Sequence, residues 1–123
     1  MCGIVGLLVK NPRLRDQLGA LMVPMLVGMT ERGPDSAGLA VYGEPVADYM
    51  HKISLYSGEH AVDWAELLRR IAEEFPQEHQ IAAHGNHAVL TTAGDLQALT
   101  EWLESRASTI AVLSVGQSID SQI

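Results

Sequence analysis

Met1-Cys2-Gly3-Ile4-Val5-Gly6-Leu7-Leu8-Val9 opens the chain and decides how the rest is read. Cys2 is the sole cysteine and stands directly behind the initiator methionine. Methionine is trimmed when the next side chain is small, so Cys2 is expected to head the mature chain with a thiol and a free α-amine on one residue. An α-amine titrates at about 7.7–8.0 and a free thiol at about 8.5. Near neutral pH the amine is therefore partly unprotonated and can take the thiol proton, the nucleophile-with-its-own-base arrangement of N-terminal residues. Alone, a cysteine in an apolar run reads as a small buried hydrophobe. Its surroundings tilt the balance: Gly3 and Gly6 allow close approach of backbone or ligand. Ile4, Val5, Leu7, Leu8 and Val9 read as a strand buried on both faces, holding Cys2 at its tip.

Outward from this stretch, the 123 residues amount to one domain's worth of chain, with 47% hydrophobic and 19% charged residues, an ordinary globular composition. The net charge of −7 is uneven: residues 1–60 carry −1 and residues 61–123 carry −6. An acidic chain without a basic patch argues against nucleic acid as a partner. The apolar stretch Leu18 to Met29 is short of the roughly 20 residues a membrane span needs, and Pro24 interrupts it. No basic region precedes the first apolar run, so it does not read as a signal peptide. With a single cysteine the default setting is reducing and cytoplasmic.

Asn11-Pro12 marks a helix start. Leu14, Leu18, Leu21, Met22, Met25, Leu26 and Met29 follow at helical spacing, with Pro24 expected to kink or split the helix. These methionines are expected to pack against a sheet. Ala37 to Tyr42 reads as a second strand and Ala47 to Tyr56 as a third, antiparallel to it. Asp63 with Glu66 has capping-box character before a helical face of Trp64, Leu67, Leu68, Ile71 and Phe75, ended by Pro76. Ile81–Ala83 and Ala88–Thr91 flank the turn His84-Gly85-Asn86-His87. Asp95 caps a helix bearing Leu96, Leu99, Trp102 and Leu103, and Thr109 to Val115 is a closing strand. From residue 47 the order is βαββαβ, a ferredoxin-like arrangement. His79, His84 and His87 lack a Cys or carboxylate at ligand spacing and read as hairpin residues rather than a metal site. The terminal Ser118-Ile119-Asp120-Ser121-Gln122-Ile123 carries no capping pattern or tail and reads as interrupted.

The second informative stretch is Arg32-Gly33-Pro34-Asp35-Ser36-Ala37-Gly38. Gly33-Pro34 makes a tight turn, Asp35 can bond neighbouring amides, and Arg32 offers a rigid fork of donors. Together with Met-Cys-Gly-Ile-Val-Gly it resembles the class II glutamine amidotransferases, of the N-terminal nucleophile (Ntn) fold. Leu-Met-Val-Pro-Met-Leu before the arginine and the late Gly116-Gln117-Ser118-Ile119-Asp120 resemble the amidotransferase subunits related to glutamate synthase, such as that of N-methylglutamate synthase.

The resemblance implies an α+β chain with an incomplete Ntn-type αββα fold over residues 1–56; the order of elements adds a ferredoxin-like αββαβ insertion over residues 57–123, and the chain reads as truncated. It implies Cys2 as the nucleophile toward L-glutamine, with Arg32 and Gly33 in the loop that lies against the N-terminal residue and shapes the substrate site. Asp35 and Ser36 hold that loop. Ammonia would pass to a synthase subunit, and no cofactor is implied. The family's Thr-Arg-x-Ala-Thr grip on the glutamine carboxylate and its Asn-Gly oxyanion pair have no match here; His84-Gly85-Asn86-His87 runs in the wrong order. An oxyanion donor is worth about 2.7–4 kcal/mol, so this chain alone is expected to be a poor glutaminase. The rival reading is a non-catalytic assembly or docking subunit of an amidotransferase complex.

Overall fold

The structure is a computed structural model and describes residues 2–33 and 35–122. The chain divides into two units, 1–37 and 38–123.

In the first unit the side chain of Asn11 accepts from the backbone N–H of Arg13 at 3.1 Å, and Pro12 opens a 3-10 helix over Pro12–Gln17. Helix α1, Leu18–Gly28, continues from it and runs through Pro24. The proline therefore neither splits α1 nor ends it. A single 3-10 turn, Thr30–Arg32, follows. Two expectations fail here. Residues 2–10 form no strand; they have no ladder partner, with Ile4 96% and Leu8 79% exposed. Nor is any methionine of α1 buried. The two errors share a cause: apolar periodicity reports a preference for burial, while a strand needs a second backbone for its amides.

The second unit is a four-stranded antiparallel sheet with two helices on one face. Its elements are β2 (His51–Tyr56), α2 (Trp64–Glu74), β3 (His79–His84), β4 (His87–Thr92), α3 (Leu96–Arg106) and β5 (Ala111–Gly116). The spatial order is β3-β4-β2-β5. With these strands counted from one to four that is 2-3-1-4, the split βαβ order of a ferredoxin-like unit, as the βαββαβ succession predicts. Asp63 accepts from the Glu66 N–H at 3.0 Å and Asp95 from the Ala98 N–H at 2.8 Å, so each helix starts where its cap was read. Asp95→Ala should cost about 1 kcal/mol of stability, visible as a lower urea midpoint at unchanged slope.

Gly85, at φ +61°, turns β3 into β4. Ile53 pairs with Leu90 and Leu90 with Ile81, so three apolar side chains form one row beneath the helices. Ile53, Leu55, Ile71, Leu90, Leu99 and Leu103 are fully buried and make the centre of this core.

The opposite face is covered by a strand absent from the sequence reading. β1 (Ala40–Tyr42) pairs with β6 (Ile119–Gln122), not with β2. The expected hairpin between residues 37–42 and 47–56 is thus replaced by a long-range pair. β6 lies against β4, β2 and β5. There Lys52, 9% exposed, reaches Asp120 Oδ1 at 2.6 Å and the Glu44 carbonyl at 3.3 Å. Burial of a lone ammonium would be costly, and the carboxylate offsets that cost. Gly43 makes room for it: a Cβ there would stand 1.8 Å from Asp120 Oδ2. Gly43→Ala should displace Asp120 and cost about 1–3 kcal/mol by uncovering a buried donor. The check is thermal unfolding beside Lys52→Met; in that background the same glycine substitution should cost clearly less.

Candidate functional site

The first unit brings the two informative stretches together. Gly3 packs so tightly against the segment ending α1 that a Cβ would lie 2.1 Å from Met29 Cε. The same position is 3.4 Å from Arg32 Cβ and 3.7 Å from Arg32 Cδ, so the arginine stem runs beside the residue that follows Cys2. A side chain there would have to push the Met29 methyl aside. The turn that presents Arg32 is closed by its own N–H bonding to the Met29 carbonyl at 2.9 Å, and Thr30 Oγ1 donates to the Val27 carbonyl at 2.8 Å. Met29, read from the sequence as a sheet-packing residue, is thus the wall against which the N-terminal segment rests.

Cys2 is exposed, with a free thiol. Gly33, next to Arg32 in sequence, is exposed, and a Cβ on it would meet only the Ser36 carbonyl, at 3.9 Å. Pro34, half of the expected Gly33-Pro34 turn, lies outside the described residues, as does Met1. Asp35 and Ser36 are exposed. Chemically, the unit offers an accessible sulfur on the residue before Gly3, and the stem of the cationic Arg32 beside that glycine. A carboxylate-bearing, electrophilic substrate suits that combination.

The histidines are spent elsewhere. His79 bonds Thr92 Oγ1 at 2.8 Å and the Phe75 carbonyl at 2.9 Å through its two ring nitrogens. His87 stacks on Tyr56 with ring centroids 4.7 Å apart, and His84 is exposed at the hairpin end. Among the described residues no three metal-ligating side chains gather. Nor is any described helix long and apolar enough to cross a membrane.

Two curated proteins are similar to this chain. Over 124 residues, 98% of the chain, it is 38% identical to "Glutamine amidotransferase-like protein GlxB" of Rhizobium meliloti (strain 1021), covering 40% of that protein. Over 92 residues, 72% of the chain, it is 32% identical to "Putative glutamine amidotransferase" of Methanothermobacter thermautotrophicus (strain ATCC 29096 / DSM 1053 / JCM 10044 / NBRC 100330 / Delta H), covering 30% of that protein. The chain therefore spans two fifths or less of these relatives' length. No family model and no solved structure matches it. The two names support a glutamine amidotransferase family for the chain.

Proposed function

We propose that this chain is the nucleophile-bearing part of a class II, Ntn-type glutamine amidotransferase related to the glutamate synthase group. The observation that carries the reading is the packing of Gly3, the residue after Cys2, beside Met29 and the stem of Arg32. After loss of Met1, the Cys2 α-amine takes the thiol proton and the sulfur attacks the side-chain amide carbon of L-glutamine. The C–N bond breaks, the ammonium returns its proton to the departing nitrogen, and ammonia leaves from a γ-glutamyl thioester. Water then hydrolyses the thioester to glutamate and frees the thiol. Arg32 and Gly33 shape the substrate side of this site.

The ammonia acceptor is a synthase subunit. Oxyanion donors and the grip on the glutamine carboxylate belong, in this reading, to polypeptide corresponding to the three fifths of the first relative that the chain does not span. The exposure of Cys2 and of the loop around Gly33 and Asp35 leaves room for them. The second reading is a non-catalytic docking subunit of an amidotransferase complex. Intact mass and labelling by an electrophilic glutamine analogue separate the two. A trimmed chain that takes one adduct on Cys2 supports catalysis; retained Met1, or a trimmed chain that takes none, supports docking.

A further inference from the structure

The second unit contains a cleft that the amidotransferase reading does not use. It lies between the start of α2 and the end of α3, with a volume of about 270 Å³. Leu67 and Ile110, both buried, are among the residues lining it. Arg70 and Arg106 border it, with Asp63, Glu66 and Ser108 also on its wall. Arg70 is held in place: its Nη2 donates to the Arg106 carbonyl at 3.2 Å, and its guanidinium stands 5.3 Å from the Trp102 ring centroid. The Arg106 side chain makes no ion pair among the described residues, and neither does that of Arg70.

This is unusual for the chain's charge. Fifteen carboxylates compete for eight cations, and the neighbouring Arg69 takes both Glu66 and Glu73. The bonds to Arg69 hold the Glu66 carboxyl below the usual range. Two guanidiniums that make no direct ion pair among the described residues therefore border a cleft with apolar side chains and two carboxylates: Glu66, bonded to Arg69, and Asp63, which caps α2 and makes no ion pair.

We propose that this cleft is a binding site for a free α-amino acid, its carboxylate on Arg70 and Arg106, its ammonium toward Asp63 and its side chain on Leu67 and Ile110. A pocket of apolar walls with a few convergent polar groups is what small-ligand sites share, and carboxylates match the planar fork of arginine. The two signs on the wall select a zwitterion over a simple anion: a dicarboxylate or phosphate would meet Asp63 and Glu66.

The test is a titration of the full Cys2→Ala chain with L-leucine at fixed ionic strength, followed by amide shifts of residues 107–110. The expected result is saturable shifts, with half-saturation raised at least fivefold by Arg106→Ala, an exposed position whose loss leaves the core intact. Arg70→Met should act likewise. No saturable shift, an unchanged half-saturation in Arg106→Ala, or the same saturation curve with sodium acetate would each overturn the proposal. Because the sulfur is absent from every sample, a negative result leaves the Cys2 chemistry standing.

Discussion

Placing one lysine between Met1 and Cys2 should slow labelling by an electrophilic glutamine analogue on the order of 10²–10⁴-fold, the usual contribution of a positioned general base. The insertion keeps the thiol and every other side chain. It removes only the free amine of Cys2, because a methionine followed by lysine is retained. Cys2→Ala should abolish the adduct altogether, since no other cysteine exists. The contrast between the two variants separates mechanism from mere exposure, because an exposed thiol reacts with simple alkylating agents whatever precedes it. Labelling is read by intact mass over time, with iodoacetamide as the reference reagent. Equal rates for the trimmed and the extended chain would remove the amine from the mechanism, and with it the amidotransferase chemistry proposed above.

The second large effect concerns stability. Leu90→Ala should destabilise the ferredoxin-like unit by about 2–5 kcal/mol, through lost transfer energy and the cavity left behind. Leu90 has no exposed surface and stands on β4, an inner strand, paired with Ile53 on one side and Ile81 on the other. Neighbours on both flanks and two helices above leave little freedom to collapse into the space. For a unit of this size each kcal/mol lowers the midpoint by about 4–8 °C, so circular dichroism should register a drop of at least about 8 °C. Val115→Ala, on the edge strand β5 and 45% exposed, is the control and should shift the midpoint far less.

The legible part of the chain was the part in which local signals and long-range packing agree. Asp63 and Asp95 announce their helices through a bond spanning three residues. The glycine of His84-Gly85-Asn86-His87 sits at the positive φ its turn requires. Given two helices and four strands in that order, the sheet could be anticipated. What escaped were pairings with no local trace. β6 is Ile-Asp-Ser-Gln, four residues with one apolar side chain, and its partner lies some eighty positions earlier. Residues 47–56 alternate well enough to suggest a hairpin with residues 37–42, yet β2 spends both its edges on β4 and β5. In the first unit, hydrophobicity at Ile4 and Leu8 could not reveal which backbone, if any, stands alongside. The contact of Gly3 with Met29 was equally silent, although a glycine directly after Cys2 and a methionine three positions ahead of Arg32 were both visible.

β1 and β6 lie side by side, with Ala40 opposite Gln122. Adjacent strands are about 4.8 Å apart, so the first and last strands of this unit stand side by side. Ends this close can be joined by a short glycine linker, so the unit should tolerate circular permutation.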